Sequence, residues 1–343
     1  MKSDDRIREA EARLFARSGL QHEESFFDLK SVRAGLRVLS VGTGPPVVML
    51  HGVSLAAAVW APWLAHLSGY RTHLVDLPGH GLSGPATYRR GGVRDHSLDL
   101  MEDVLDALGL ATAPVVGHSL GGMFALWYAA ARPGRIASLV AIGEPAVALP
   151  GATVRMPLSL LTVPFLGEAV LRTPSPRPVY RRVLGQGLGP AAVAAAPDEL
   201  LDVLRLAARR KDNAKTVASL MHAIDGFHRP RTESVMTDTE LHQIAAPTMF
   251  CLGTGDPFLT PAQGRPAIAK IPGAVLHEVA AGHSPWLEDP PGCAKLVTDH
   301  FTATGFPPRT SPRTVPASTT AIRADHLDQG AGATFPEQPH RAT

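Results

Sequence analysis

The chain has 343 residues, of which 45% are hydrophobic and 19% are charged, the proportions of an ordinary globular protein. Its formal net charge is only +2, so charge gives no reason to expect a nucleic acid or an acidic membrane surface as a partner. The length suits one large α/β domain with an insertion, or two ordinary domains.

The cysteines and the N-terminal segment bear on the cellular compartment. Cys251 lies in an apolar run, and together with Cys293 it makes no disulfide framework, so both are expected to be free thiols in a reducing compartment. The segment Met1–Leu14 is charged and lacks the apolar core of a signal peptide. No stretch of the sequence reaches about 18 uninterrupted apolar residues, the length that a spanning helix needs. These features predict a cytoplasmic protein without a membrane span.

The chain begins with a helix predicted over 5–19, in which Ile7, Ala10 and Leu14 lie near one face. Because acidic and basic residues are mixed along it, we expect it to lie on the protein rather than on a membrane surface. We take 1–25 as an N-terminal helical extension. The β-rich stretch Phe26–Ser40 then opens the core.

Between residues 47 and 142, short apolar runs alternate with helical patterns. The predicted strands are 47–50, 72–76, 114–117 and 137–142, and the predicted helices are 97–108 and 120–132. Strands that are apolar throughout and alternate with helices are typical of a parallel sheet covered on both faces. The predicted fold class is therefore α/β, with a doubly wound, mostly parallel sheet.

The alternation stops at residue 146, and as far as residue 240 helical patterns with frequent Pro and Gly replace the strands. Strand and helix patterns resume at Pro247–Leu252, Ala274–Val279 and Pro290–Phe301. We therefore predict one α/β core, formed by 26–145 and 241–303, with a helical cap at 146–240. Residues 304–343 have too little apolar surface to offset the entropy of folding, which predicts a disordered tail.

A sharp turn between a buried strand and a helix holds the candidate nucleophile. Gly117-His118-Ser119-Leu120-Gly121 follows the strand 114–117 and opens the helix 120–132. A serine in this turn has its hydroxyl clear of the sheet, and the flanking glycines remove side chains that would collide. The N–H of Leu120, at the helix N-terminus, is suited to stabilise a developing oxyanion.

Two loops upstream of Ser119 contain histidines, for which a catalytic and a structural role have to be weighed. His51-Gly52-Val53 follows the strand 47–50, and the Val53 N–H is the candidate for a second oxyanion donor. The alternative is an ordinary loop glycine beside a structural histidine, and we interpret His51 itself as structural. His80 lies in the turn Asp76–Ser83, where a histidine is more often hydrogen-bonded structure than a second base.

A nucleophilic serine needs a base, and the base needs an orienting acid. Asp256 follows the strand 247–252, and His283 follows the strand 274–279, so both lie at the same sheet edge as Ser119. We predict His283 as the general base and Asp256 as the acid. Glu144, after the strand 137–142, is also on this edge and remains the rival acid or a pocket residue.

Residues 26–302 resemble the α/β-hydrolase superfamily, particularly its members with a helical cap. The matching motifs are the His51-Gly52 loop, the Asp76–Ser83 turn, the Ser119 turn, Asp256 and His283. The resemblance implies an eight-stranded, mostly parallel sheet, a Ser-Asp-His triad and no cofactor. Members with an aspartate nucleophile are excluded, because position 119 is serine. No cluster of His, Asp or Cys has the spacing of metal ligands, so no metal is expected.

The predicted function is hydrolysis of a carboxylic ester of a small, largely apolar substrate, through an acyl-enzyme on Ser119. The apolar cap segment suggests the pocket, and its residues are Met156, Leu158, Leu160, Leu161, Val163, Phe165 and Leu166. Carbon–carbon bond hydrolase, thioesterase, lactonase, perhydrolase and acyltransferase activities remain open on the same residues. A non-catalytic binding protein of the same fold is the alternative from another class. The sequence does not determine the substrate or the oligomeric state.

Overall fold

The structure is a computed structural model that describes residues 3–153, 158–163, 165–173, 175–226 and 229–309. These residues belong to one compact unit. Of the predicted tail, the part from residue 310 to residue 343 lies outside the described residues.

The described residues form one sheet of eight strands. The strands are β1 (His22–Leu29), β2 (Ala34–Val41), β3 (Pro46–Leu50), β4 (Arg71–Asp76), β5 (Ala113–His118), β6 (Ile136–Ile142), β7 (Thr248–Gly253) and β8 (Val275–Val279). Their spatial order is β1-β2-β4-β3-β5-β6-β7-β8. Strand β2 pairs antiparallel with β1 and β4, and all the other pairs are parallel. The predicted eight-stranded, mostly parallel sheet is confirmed.

Helices cover the sheet on both faces. They are α1 (Ser3–Arg17), α2 (Ala61–Leu64), α3 (Val93–Ala107), α4 (Leu120–Ala131), α5 (Leu166–Arg172), α6 (Arg177–Leu188), α7 (Pro190–Ala195), α8 (Asp198–Ala208), α9 (Lys211–Ile224), α10 (Asp238–Gln243), α11 (Pro261–Ile268), α12 (Pro285–Glu288) and α13 (Pro290–Ala303). Within the ranges given above, every helix is too short or too polar to cross a membrane.

Alternate residues of each central strand belong to two separate hydrophobic clusters. In β3, Val48 and Leu50 pack with α3 and α4, whereas Val47 and Met49 pack with α1, α2 and α13. All four side chains are fully buried. Because successive side chains of a strand point to opposite faces, a strand covered on both faces must be apolar throughout. This is why the central strands show continuous apolar runs in the sequence.

Helices α5 to α9 lie between β6 and β7, and this connection forms no strand in its described part beyond an isolated bridge between Asp225 and Pro230. Helix α9 is tied to the loop that follows β4. The Asn213 side chain donates to the Gly79 carbonyl at 3.2 Å, and the Thr216 hydroxyl donates to the Ala86 carbonyl at 2.7 Å. These bonds hold α9 over the carboxyl edge of the sheet.

Both ends of the fold extend beyond the apolar patterns. Strand β1 begins at His22, inside the segment 1–25 that was predicted as an extension. Its mostly exposed side chains give little apolar signal, because an edge strand is defined by its backbone pairing with β2. At the other end, residues 304–309 pack on the core, where the Tyr70 hydroxyl donates to the Phe306 carbonyl and the Arg309 N–H donates to Gly69.

Candidate active site

Ser119 occupies the turn between β5 and α4 in a strained backbone conformation, with φ at 50° and ψ at −115°. A Cβ atom on Gly117 would lie 2.6 Å from the Gly121 carbonyl oxygen. A Cβ atom on Gly121 would lie 2.3 Å from the Leu50 carbonyl oxygen. The two glycines are therefore required by backbone contacts, which hold the start of α4 against β3 and β5.

His283 and Asp256 are joined by a hydrogen bond of 2.8 Å between Nδ1 and Oδ2. Asp256 also accepts the backbone N–H groups of Glu144, at 2.9 Å, and Phe258, at 3.0 Å. Glu144 therefore contacts the acid through its main chain, and its carboxyl group makes no hydrogen bond to His283 among the described residues. Of the two candidate acids, Asp256 is the one whose carboxylate is hydrogen-bonded to His283.

The electrostatics of this pair follow from its burial and its charges. Burial by itself lowers the pKa of His283, but the charge and hydrogen bond of Asp256 outweigh it, so the pKa is raised above its ordinary value. Burial likewise raises the pKa of Asp256, but His283 and the two backbone donors outweigh that effect and lower it. The pair favours an ionised Asp256 beside a histidine of increased basicity.

Ser119 and His283 line the same cavity, of about 190 Å³, between the sheet edge and the α5–α9 segment. No hydrogen bond joins their side chains in the part of the chain that the structure describes. Catalytic hydrogen bonds of this kind are often long in unliganded enzymes and tighten when substrate binds. Large aliphatic side chains from the connection between β6 and β7 also line the cavity. They are Leu161, Leu171, Val183, Leu184, Leu188, Val217, Met221 and Ile224.

The apolar character of the cavity agrees with the sequence prediction, but the side chains that supply it differ. Of the cap residues predicted to suggest the pocket, Leu161 lines it, whereas Phe165 is 90% exposed and Leu166 is 43% exposed. Met156 lies outside the described residues. On the side of the α5–α9 segment, most of the lining comes instead from α6 and α9, because the packing of a helix, and not its hydrophobicity alone, decides which face meets the cavity.

Two backbone N–H groups lie beside Ser119. Leu120 is the first residue of α4, so its N–H has no acceptor within the helix. The Val53 N–H donates no hydrogen bond among the described residues, and both residues line the cavity with Ser119. A Cβ atom on Gly52 would lie 3.2 Å from the Ser119 Cβ, so glycine at this position lets the loop approach the serine.

The other two histidines considered from the sequence have structural contacts. His51 accepts the Leu77 N–H at Nε2 and contacts the Gly52 carbonyl with Nδ1, which confirms that it supports the loop. His80 is fully buried, and its Nδ1 lies 3.2 Å from the Pro78 carbonyl. Burial lowers the pKa of His80 to about 3. It does not line the cavity.

Two side chains that the sequence did not single out position the His283 loop. His118 Nε2 lies 3.2 Å from the His283 carbonyl, and its ring packs 4.4 Å from the ring of Trp286. The Glu288 carboxylate accepts the Gly282 N–H at 2.9 Å. Both contacts depend on how α12 turns back on the loop after β8, and no local pattern in the sequence indicates that.

The cavity also contains two buried carboxyl groups, Glu144 and Asp225. Burial raises the pKa of Glu144 to about 8 and that of Asp225 to about 7. Glu144 accepts the Val147 N–H, whereas Asp225 Oδ1 is buried without a hydrogen-bond partner. Within the described ranges, no three His, Cys, Asp or Glu side chains are arranged to hold a metal ion.

Comparisons with known proteins agree with this architecture. The family model described as alpha/beta hydrolase fold matches residues 45–290, more than half of the chain. The chain is also similar to the crystal structure of carboxylesterase CesB from Bacillus subtilis, with a TM-score of 0.71 at 22% identity. That similarity covers 88% of this chain and 99% of CesB, and at this identity it shows the fold.

Two curated relatives have different named activities. A 2-hydroxy-6-oxononadienedioate/2-hydroxy-6-oxononatrienedioate hydrolase from Cupriavidus pinatubonensis is 29% identical over 240 residues, which cover 67% of this chain and 77% of that protein. A pimeloyl-acyl-carrier protein methyl ester esterase from Nitrosospira multiformis is 37% identical over 110 residues, which cover 32% of this chain. The chain spans only 41% of the length of that esterase.

Proposed function

The chain belongs to the α/β-hydrolase family, and on that premise we propose that it is a serine hydrolase that cleaves a carboxylic ester through an acyl-enzyme on Ser119. The observation that supports this most directly is the placement of Ser119 and the His283–Asp256 pair at one cavity. We also propose that residues 146–240 act as a cap over the core formed by 26–145 and 241–303.

In the proposed mechanism, Ser119 Oγ attacks the acyl carbonyl while His283 takes its proton. Asp256 stabilises the imidazolium that forms and holds the ring in the required tautomer. The N–H groups of Leu120 and Val53 stabilise the oxyanion of the tetrahedral intermediate. His283 then protonates the leaving alcohol and activates the water that releases the acyl group.

The cavity lining supports an ester with a largely apolar body. Apolar side chains predominate, and the described residues that line the cavity include no lysine or arginine. Among the described lining residues, a substrate with two carboxylates, such as the dienedioate named for the Cupriavidus relative, would meet Glu144 and Asp225 and no lysine or arginine. The chemistry of the cavity therefore disfavours a dianionic substrate.

A fluorophosphonate probe tests the proposal, because it reacts with a serine that a neighbouring base activates and not with an ordinary serine. We expect the probe to label the protein at Ser119, as located by mass spectrometry, and Ser119→Ala to remain unlabelled. A folded protein that stays unlabelled and turns over no 4-nitrophenyl ester from acetate to decanoate would contradict the proposal and favour a binding role.

The acid of the proposed triad is tested by its effect on pH dependence. Because Asp256 raises the pKa of His283, we expect kcat/KM to rise with pH through a midpoint above 6.5, as His283 loses its proton. Asp256→Asn should lower kcat by about 10³- to 10⁴-fold. It should also move the midpoint to lower pH, since burial then acts without the opposing charge.

Two further variants separate this effect from general damage. Asp299→Asn, at an exposed pair with Lys295, should leave both kcat and the midpoint unchanged. Glu144→Gln should cost less activity than Asp256→Asn. The assignment of Asp256 is wrong if the order of these two losses is reversed.

A further inference from the structure

The two carboxyl groups of the cavity come from different parts of the fold. Glu144 follows β6, Asp225 follows α9, and both line the cavity. Their side chains are 2% and 4% exposed. The described residues that line the cavity include no lysine or arginine, so the two acids give it a negative potential when they are ionised.

Asp225 is the group whose hydrogen bonding is incomplete. Its Oδ1 is buried and accepts no hydrogen bond from the described residues. The charge of Arg231 lowers the pKa of Asp225, which burial raises, but Arg231 makes no hydrogen bond to it among the described residues, and its Nε donates to the His222 carbonyl. Buried polar atoms are usually paired, so an unpaired acceptor in a cavity wall indicates a partner that arrives with a ligand.

We propose that Asp225 and Glu144 form a subsite for an organic cation, so that the substrate is an ester whose apolar body carries an ammonium group. This rests on the proposed function, since the subsite shares the cavity of Ser119. The apolar side chains around it contact the methylene groups of the substrate, and Asp225 faces the charged end. An anionic substrate is repelled there, and a hydrocarbon leaves the Asp225 acceptor unpaired.

The positions of the charges are compatible with catalysis. The charges that shift the pKa of His283 are those of Asp256 and Glu144, and the charge of Asp225 is not among them. A cation paired with Asp225 is therefore expected to oppose the imidazolium that forms during the reaction less than a cation paired with Glu144 would.

The state of the carboxyl groups makes cation binding dependent on pH. With pKa values of about 8 for Glu144 and about 7 for Asp225, both groups bind a proton in weakly acidic solution when the cavity is empty. A cation favours their ionised forms, so binding releases a proton and strengthens as pH rises from 6 to 8.5. The other charges near them are those of Arg231, Asp256 and His283. His283 also loses its proton in this range, which favours cation binding in the same direction, so the Asp225→Asn variant is needed to separate the two contributions.

Two isosteric esters test the subsite. We compare 4-nitrophenyl 6-aminohexanoate with 4-nitrophenyl heptanoate, which differ by a terminal ammonium group, a hydrogen-bond donor, in place of a methyl group. At pH 8 we expect kcat/KM to be at least about tenfold higher for the cationic ester. Asp225→Asn should reduce this ratio by about tenfold, whereas Asp212→Asn, an exposed acid on the same helix, should leave the ratio unchanged.

A binding measurement does not depend on turnover. Calorimetric titration of Ser119→Ala with pentylammonium should show affinity that increases from pH 6 to pH 8.5 and is lost when Asp225→Asn is added. If both esters are hydrolysed but kcat/KM for the cationic ester is no higher than for the neutral one, the subsite is wrong and the proposed hydrolase activity stands. The same conclusion follows if Asp225→Asn leaves the ratio of the two kcat/KM values unchanged. Absence of both labelling and ester turnover overturns the proposed function itself, and binding that is independent of pH and of Asp225 overturns the subsite by a second route.

Discussion

Replacing Ser119 with alanine should lower kcat/KM for a 4-nitrophenyl ester by at least about 10⁴-fold, the largest effect on activity that we expect of a single substitution. The reason is that the alanine variant has no nucleophile, so the acyl-enzyme route is closed. The residual rate would come from the oxyanion donors and from binding alone. Steady-state kinetics on purified protein, with active-site titration to exclude traces of wild type, measures the loss.

Ser138→Ala is the matched control. Ser138 is also a fully buried serine at the sheet, but it bonds to His300 and Thr304 and does not line the cavity. This variant should therefore keep kcat/KM within about threefold of wild type, since small losses of packing rarely reach a distant site. If Ser119→Ala retained the wild-type rate, another group would be the nucleophile and the mechanism would have to be abandoned.

The sequence predicted the sheet well because the physical signals for it are local. Continuous apolar runs such as Val47–Leu50 mark strands buried on both faces, and each observed strand between β3 and β8 lies within two residues of its predicted bounds. The turn around Ser119 is equally local, because the glycines that it needs are two positions away. Strand ends also placed Asp256 and His283 at one edge, since parallel strands end on the same side.

The contents of the cavity could not be predicted in this way. Asp256 was predicted as the acid, but Glu144 remained its rival, because a carboxylate's contact with His283 depends on the path of the two loops after β6 and β7. Asp225 lies 81 residues beyond Glu144 in the sequence, and only the packing of α9 brings both to one cavity. Leu166 and Phe165 failed as pocket residues for the same reason, because hydrophobicity does not give the direction of a helix face.

A buried charge network around Arg37 was equally invisible in the sequence. Its guanidinium binds Glu11 of α1 through both Nη atoms, at 2.9 and 2.6 Å, and it also contacts Asp76 at 3.1 Å and Glu24 at 2.6 Å. Arg37, Glu11 and Asp76 are at most 1% exposed. This network joins α1 to the end of β4, so the N-terminal helix is part of the core rather than an appendage.

Asp76 connects the network to the loops beside the candidate site. Its carboxylate accepts the N–H groups of Ala57, at 2.6 Å, and Leu82, at 2.8 Å. The Ala57 segment follows the loop that contains Val53, the candidate oxyanion donor. Loss of the positive charge at Arg37 would thus disturb a carboxylate that fixes two turns near the carboxyl edge of the sheet.

Arg37→Met should therefore lower the free energy of unfolding by about 3–5 kcal/mol, because it leaves Glu11 and Asp76 buried without their counter-charge. The destabilisation should be larger at pH 8 than at pH 5. A carboxyl group that loses its cation has a raised pKa in the folded state, so the native protein holds protons that the unfolded chain releases, and stability falls as pH rises. Urea denaturation followed by tryptophan fluorescence at the two pH values measures both effects.

Arg71→Met provides the comparison, since Arg71 pairs with an exposed carboxylate, that of Glu23, and should cost less than about 1 kcal/mol at either pH. The double variant Arg37→Met, Glu11→Gln should recover part of the loss, because it removes one of the stranded charges. Equal stability of Arg37→Met and wild type at pH 8 would mean that water or a rearranged α1 solvates these carboxylates.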